Sequence, residues 1–485
     1  MALSRAALIV LVATALGVGT PARGGEKPNV LLVLIDDLGA IDTGVTGSTF
    51  YETPNIDRLA AQGARFSQFY TAGSVCSPTR ASLMTGKSPA RLHITDWIGG
   101  DGTGKLVPPP YEHQLPLDEF TLGEAFAAGG YDTGYIGKWH LGAGSFLPSN
   151  QGFAFTRAVN AAGQPGAYFP PYQSQTRPET NVPQLEDAPP NEYLTDRLTR
   201  EAVKFIEKPR SRPFFLVLAH YAVHTPLQAK ADATAKYAAK RDGLGASGGP
   251  ETRAEGPGAM TKLRQDHPTY AAMVESMDTS VGNLMKTLDA LKIADNTVVV
   301  FLSDNGGLST LAGSADRAPT SNLPLRAGKG WLYEGGIRAP LIVRWPGRIK
   351  GGAVIETPAI SNDLYPTLLE LSGLPARASQ HKDGASLAPL LRGRGTLSRD
   401  ALYWHFPHYH DSGSTPAGAI RKGSLKLIEW FEDGRTELYD LASDPGESRD
   451  LAGERPADVA ALRADLSRWR DGVGARMPKG GPGGS

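Results

Sequence analysis

The stretch "PNVLLVLIDDLG", residues 28–39, decides the fold. Residues 28–36 are an apolar run bounded by turn-forming and charged residues, and they read as a fully buried β-strand. A strand that is apolar on both faces belongs in a parallel sheet covered on both sides. The run ends on two adjacent carboxylates, Asp36 and Asp37. The same pattern repeats outward along the chain. "TPNIDRLAAQGARF" reads as a helix with Pro54 near its first turn. "DEFTLGEAFAAGGYDTGYIGKWH" reads as a helix, a Gly-Gly stop and a strand. "NEYLTDRLTREAVKFIEK" is an amphipathic helix ahead of the buried strand in "RPFFLVLAHY". "PTYAAMVESMDTSVGNLMKTLDALKIADNTVVVFLSDNGG" is a long helix and then a strand, and "SNDLYPTLLELSGL" one more helix. This alternation predicts an α/β fold: a large, mainly parallel sheet flanked by helices.

Near residue 375 the texture changes. "ALYWHF", "AIRKGSLKLIEW" and "TELYDLA" read as short strands, and "PADVAALRADLSRWRDGV" as a closing amphipathic helix. They predict a smaller C-terminal antiparallel-sheet subdomain over 376–475, after an N-terminal domain over 28–375. Residues 476–485 read as a disordered tail, and 228–262, rich in Ala, Gly and Lys, as a mobile surface insertion. At the other end, a basic start, an apolar run and small residues closing near Ala22 predict a signal peptide over 1–22. An uncleaved anchor is the alternative, but the run is short for a span of ~20 residues. No later segment is apolar enough to cross a bilayer. The 50 basic and 50 acidic residues balance to zero net charge, which argues against a nucleic-acid binder. A single cysteine leaves stability to a sizeable core rather than to disulfides. The absence of an Asn-x-Ser/Thr sequon and the leader together predict a secreted or periplasmic protein, most simply of a bacterial envelope.

Polar residues gather where the strands end: Asp36-Asp37, then Lys138-Trp139-His140, then His220 and His224, then Asp304-Asn305. Ligands of open α/β sheets bind beyond the carboxyl ends of the strands, so one site at one edge is the economical reading. Asp36, Asp37, Asp304 and Asn305 are hard oxygen donors. Carboxylates packed together repel unless a cation sits among them, and an all-oxygen set suits Ca²⁺ or Mg²⁺. Taken singly, each pair also reads as a helix cap or a turn. His220 and His224 are four apart, a zinc spacing on a helix, but the preceding strand and Pro226 place them in a loop. His140 and His224, beside lysines and carboxylates, suit acid–base work.

The one cysteine, Cys76, lies in "GSVCSPTRASLMTG" (73–86). Pro78 suits the first turn of a helix continuing through "TRASLM", which puts Cys76 at a helix N-terminus, where anions are favoured, with the Arg80 fork nearby. The plain alternative is a buried, inert cysteine. A free thiolate outside the cell would oxidise readily.

"CSPTR" followed by "ASLMTG" resembles the Cys-x-Pro-x-Arg motif, with its downstream Thr-Gly, of the formylglycine-dependent (type I) sulfatases of the alkaline phosphatase superfamily. "NVLLVLIDDLG", "YETPNIDRLAAQGARFSQFY", "YDTGYIGKWHLG", "FFLVLAHYAVHTP", "TVVVFLSDNGG" and "GKGWLYEGGIRAP" are similar to that family's blocks, in the family's order, and the resemblance covers roughly 28–450. It implies that 28–375 is the catalytic domain, of alkaline-phosphatase-like fold. It implies that Cys76 is oxidised to formylglycine (3-oxoalanine) by a formylglycine-generating enzyme. It implies one Ca²⁺ held by Asp36, Asp37, Asp304, Asn305 and the modified Cys76 side chain. Arg80 and Lys138 would hold the formylglycine hydrate, His140 would be the base that frees sulfate from a covalent sulfoenzyme intermediate, and His224 and Lys329 would bind the sulfate and assist the leaving group. His220 would have a supporting role only.

The function implied is hydrolysis of a sulfate ester, on a sulfated carbohydrate or an aryl sulfate, with a sulfated glycan favoured by the predicted secretion. A phosphate or phosphonate ester hydrolase of the same superfamily is the alternative enzyme, and a catalytically inactive, glycan-binding derivative is the alternative of another class. "WHFPHYH" (404–410), His93 and Trp97 offer rings to stack on or hydrogen-bond a sugar, or else belong to a strand and loop with histidines facing solvent.

Overall fold

Strand β1 (Asn29–Ile35) lies inside an eight-stranded sheet, and every one of its residues is buried. The computed structural model describes residues 27–245, 249–256 and 258–480; the leader predicted at 1–22 and residues 481–485 lie outside the described residues. The other strands of the sheet are β2 (Ala64–Phe66), β3 (Asp132–Gly137), β4 (Phe155–Arg157), β5 (Phe214–Ala219), β6 (Thr297–Ser303), β7 (Leu341–Arg344) and β8 (Ala353–Ile355). Their order is β8-β2-β7-β6-β1-β5-β3-β4. β1 pairs in parallel with β6 (Val30 opposite Val298) and with β5 (Val30 opposite Phe215). β5–β3, β3–β4 and β2–β8 are parallel as well. Only β7 runs against its neighbours β6 and β2, so the sheet is mainly parallel.

Alternation along β1 shows how both faces are covered. Leu31, Val33 and Ile35 share a core layer with helices α4 (Leu194–Glu207) and α6 (Pro268–Ala290), through Leu198, Met273 and Met277. Val30, Leu32 and Leu34 face the other layer, with Leu83 of α2 (Cys76–Thr85), Phe126 of α3 (Leu122–Ala128) and Leu368 of α7 (Leu364–Leu371). Each such side chain is fully withdrawn from water, and truncating one to Ala costs about 2–5 kcal/mol. That two-sided burial is why the run carries no polar residue until the sheet edge, where Asp36 begins the site.

The smaller sheet is antiparallel, in the order β9 (Ala401–Phe406), β10 (Ala417–Lys422), β11 (Leu425–Trp430) and β12 (Thr436–Asp440). Helix α8 (Pro456–Val473) seals one face with Leu462 and Leu466 against Ile420, Leu427 and Leu438. The other face, with Trp404 and Trp430, packs on Tyr70, Trp331 and Tyr333 of the larger unit.

Two expectations change. The described parts of the 228–262 segment are built into the fold: helix α5 (Ala231–Gly243) is anchored by the fully buried Tyr237, whose ring lies 5.8 Å from that of Phe50. The hairpin Thr252–Ala254/Ala259–Lys262 then pairs with Thr310–Ala312. One aromatic anchor and backbone pairing do what the Ala-, Gly- and Lys-rich composition does not advertise. Residues 476–480, read as part of a disordered tail, are held in place instead: Lys479–Gly480 pair with Leu106–Val107, and the Arg476 carbonyl accepts from His405 Nε2 at 2.9 Å.

Candidate active site

Four strand ends converge at one edge. β1 delivers Asp36 and Asp37, β3 delivers Lys138 and His140, the loop after β5 delivers His224, and β6 delivers Asp304 and Asn305. The turn after β1 is held by Leu38 N–H on Ser303 Oγ (2.9 Å) and Asp37 N–H on Asp304 Oδ1 (3.2 Å), so the two acidic pairs are locked together. Asp37 and His140 both adopt left-handed backbone, φ 62° and 58°, which swings their side chains out of strand register. Cys76 is the first residue of α2, as its proline-bearing start predicts, and is buried.

Three carboxylates and three cations interlock below the cavity. Lys138 Nζ donates to Asp36 Oδ2 at 2.7 Å, Lys329 Nζ pairs with Asp37 Oδ1 at 2.8 Å, and Arg80 binds Asp304 Oδ2 through Nε and Nη2, both at 2.8 Å. Arg80 Nη1 also donates to the Lys138 carbonyl at 2.7 Å. Burial pushes the Asp36 carboxyl up to about 8 against the pull of Lys138, with Asp304 and Asp37 adding repulsion. Burial also opposes ionisation of Asp37, but Lys329, His224 and Lys138 outweigh it and hold that carboxyl below the usual range. Burial thus disfavours the charged form of Asp36, and further positive charge beside it would stabilise the carboxylate that the 2.7 Å contact with Lys138 uses.

The donor set fits a hard divalent cation. Asp36, Asp37, Cys76 and His224 each bring a ligand atom within 4.8 Å of the others. Asn305 gives its amide N–H to Asp37 Oδ1 at 2.8 Å, and its Oδ1 is buried with no hydrogen-bond partner. A buried carbonyl oxygen without a donor is costly, and a cation held by Asp36, Asp37, Asp304 and Asn305 would satisfy it.

The cysteine sits at the base of this arrangement with Sγ 3.6 Å from Asp36 Oδ1. Burial pushes its thiol up to about 12, against the pull of Lys138 and Lys329. As encoded it is a protonated, poor nucleophile.

Hydrogen bonds to carbonyls set the tautomers of the two histidines. His140 Nε2 lies 3.0 Å from the Ile98 carbonyl, so Nε2 carries the proton, and the bare Nδ1 is buried without a partner. Burial, with Lys138 and Arg80 beside it, holds its pKa well below the ordinary imidazole value. His224 Nδ1 donates to the Thr225 carbonyl at 2.9 Å, leaving Nε2 3.7 Å from Asp37 Oδ2. Burial and then Lys329 lower it to about 3. His220 is elsewhere: it points between layers, with Nε2 3.0 Å from Ser280 Oγ of α6, and lines no part of the cavity.

Above these groups opens a cavity of about 310 Å³, lined at its base by Asp37, Cys76, His140, His224 and Lys329. Trp97 lines it too, whereas His93 does not. Of "WHFPHYH", only His410 reaches it; His405 and His408 are buried on Arg476 O and Thr95 Oγ1 rather than facing solvent. Gly163, Gln164, Arg177 and Asp411 also line the cavity. The first three sit in a loop without periodic pattern, and Asp411 directly follows the aromatic stretch, the only sequence signal among them.

Known proteins share this architecture. A sequence model of the family described as Sulfatase matches residues 28–374, and one described as N-sulphoglucosamine sulphohydrolase, C-terminal, matches 327–470. The chain is 33% identical to arylsulfatase A of Homo sapiens, over 94% of this chain and 89% of that protein. It is 34% identical to N-acetylgalactosamine-6-sulfatase of Canis lupus familiaris, over 91% of this chain and 79% of that protein. Ps i-CgsB, solved in complex with k-i-k-neocarrahexaose, superposes with a TM-score of 0.74 at 31% identity, over 92% of this chain and 93% of that one. With the fold, the acidic strand ends and the cysteine-headed helix already in place, these matches show that the chain belongs to the sulfatase family of the alkaline phosphatase superfamily and is a sulfuric ester hydrolase.

Proposed function

We propose that the protein hydrolyses sulfate esters of a sulfated glycan with formylglycine made from Cys76, and that Asp36, Asp37, Arg80, Lys138, His140, His224, Asp304, Asn305 and Lys329 form its machinery. One observation carries the reading. The cavity converges on Cys76 at the start of α2, where burial raises the thiol beside Asp36, which favours a reactive group made from Cys76 over the thiol itself. As formylglycine the side chain offers a hydrated aldehyde, one hydroxyl to attack sulfur and a second to let sulfate go. Asp36, Asp37, Asp304 and Asn305 would hold a calcium ion, which supplies Lewis acidity at the sulfuryl oxygens and at the diol.

The chain's own residues do the rest. Lys329, raised well above the ordinary lysine range by Asp37 despite burial, stays charged and faces the sulfuryl oxygens. Arg80 and Lys138 fix the position of the nucleophilic side chain from below. Burial and Lys329 lower His224, but an entering anion favours its imidazolium, and Nε2 then has a proton for the departing alcohol. His140 Nδ1, bare and neutral, accepts the proton of the second hydroxyl. The glycan preference draws on the relatives named for N-acetylgalactosamine-6-sulfate hydrolysis and bound to a neocarrahexaose. It also draws on a cavity larger than a sulfate group needs.

Production with and without a formylglycine-generating enzyme tests this. Sulfate release from defined sulfated saccharides is expected only from the co-produced protein, whose Cys76 peptide is about 18 Da lighter than encoded, a change distinct from the oxygen additions of thiol oxidation. Turnover by both forms, or binding without turnover by both, overturns the proposal.

A further inference from the structure

We propose that the active-site cavity is built for a substrate with two anionic groups and that Arg177 binds the second; this rests on the glycan-sulfatase reading above. At the base, Lys138, Lys329 and Arg80 are each engaged by a carboxyl group, those of Asp36, Asp37 and Asp304. Arg177 is a further cation, at the rim. Its one carboxylate partner is Glu179, two residues on, at 3.3 Å, with side chains 55% and 63% exposed. Such an exposed pair adds little and exchanges readily for a ligand.

The backbone beneath Arg177 is not loose. Its N–H donates to Ser174 Oγ at 3.1 Å, and its carbonyl accepts from Thr180 Oγ1 and N at 2.6 and 2.9 Å. Ser174 N–H donates to Asn181 Oδ1 at 2.8 Å. The Thr180 and Asn181 carbonyls both accept from Asn160 Nδ2, at 3.1 and 2.9 Å, and Asn160 Oδ1 accepts from the buried Tyr221 hydroxyl at 3.1 Å. Tyr221 stands between His220 and His224, just beyond β5. An unbroken polar chain thus ties the arginine's turn to the strand end that carries His224. A guanidinium on a fixed backbone at the rim of an anion site suits bidentate capture of a carboxylate or a sulfate. The cavity volume, about 310 Å³, sits at the small end for ligand pockets, about 300–1,000 Å³, and accommodates one sugar ring. The second anion therefore lies on the sulfated sugar itself or on its direct neighbour. Asp411, on the same rim, discourages an anion on its own side and suits a sugar hydroxyl.

The test uses matured enzyme and pairs of oligosaccharides that share the sulfated sugar and differ by one further sulfate or uronate. The wild type is expected to favour the doubly anionic member in kcat/KM. Arg177→Ala should reduce that preference at least tenfold, mainly through KM, while Glu179→Gln, which frees the guanidinium, should raise it two- to threefold. Arg177→Lys should recover part of it, as a point charge without the fork. Equal turnover of both members by the wild type, or the same preference in Arg177→Ala, overturns the assignment alone. Sulfate release from none of the saccharides overturns it together with the reading it rests on.

Discussion

At Gly163 the loop between β4 and α4 lies flat on the catalytic imidazole proposed at His140. A Cβ there would stand 2.5 Å from His140 Cε1, 2.9 Å from Nε2 and 3.0 Å from Nδ1. The ring has little room to yield. Its Nε2 is held by Ile98 O, its own carbonyl accepts from Ser77 Oγ at 2.9 Å, and Trp97 stands beside it, ring centroids 6.4 Å apart. Gly163→Ala should therefore turn the imidazole or lift the loop. Displacements of about 1 Å at a catalytic group cost as much as ~10²-fold in rate. Because His140 is assigned to the release of sulfate, the slowed step should be the second one. Stopped-flow with an aryl sulfate should show a burst of phenol followed by turnover at least tenfold slower than wild type. Wild-type turnover without a burst would remove Gly163 from any positioning role.

Among the elements, helix α2 bears most directly on how the enzyme is made. All ten of its residues are buried, from Cys76 to Thr85, and the relative exposure of Cys76 is 2%. Thr79 Oγ1 and Ser82 Oγ bond to Gly73 O and Ser361 Oγ, fixing the first turn between the sheet and the segment ahead of α7. An enzyme that oxidises Cys76 would have to unwind that turn. Conversion is therefore expected only before folding. Folded, unmodified protein mixed with a formylglycine-generating enzyme should keep its encoded Cys76 mass, whereas a peptide of residues 73–86 should be converted; efficient conversion of the folded protein would refute this. The sequence signalled α2 clearly, through Pro78 and the motif around it. It signalled β1, β3, β5 and β6 equally well, because their apolar runs end on the acidic and basic residues that mark the site, but not β2, which lies in the stretch that reads as a helix, nor the short β4, β7 and β8. It was silent on the elements that close the cavity. Gly163, Gln164 and Arg177 lie in irregular chain held by Asn, Ser and Thr hydrogen bonds, which follow no period, and α5 rests on one aromatic anchor. His220 looked like a partner of His224 from spacing alone, but the strand end turns the two in different directions.

In the whole molecule, histidines sit at the seams. His220 joins β5 to α6 through Ser280, His408 joins the small subdomain to Thr95, and His405 holds the Arg476 carbonyl. Burial lowers all three, to about 3, 3 and 4, and it is also the first cause of the lowered values of His93, His140, His224, His267 and His410. The unfolded chain binds these protons below about pH 6.5 and the folded chain binds them less readily, so their stability is complete above 6.5 and is lost as pH falls. Buried carboxyls work the other way. Asp36, Asp42, Asp96, Asp278 and Glu447 are raised, first by burial, so their share is complete below about pH 4 and lost as pH rises. Eight histidines against five carboxyls favour a net uptake of protons on unfolding between about pH 4.5 and 6.5, and a calcium ion bound as proposed, by favouring ionised Asp36, would widen the margin. Tm should therefore fall steadily from pH 6.5 to 4.5, more steeply in calcium than in chelator. His405→Asn, with its amide on the Arg476 carbonyl, removes one titrating group and should flatten the fall; a Tm that holds or rises toward pH 5 would show that the carboxyls dominate instead.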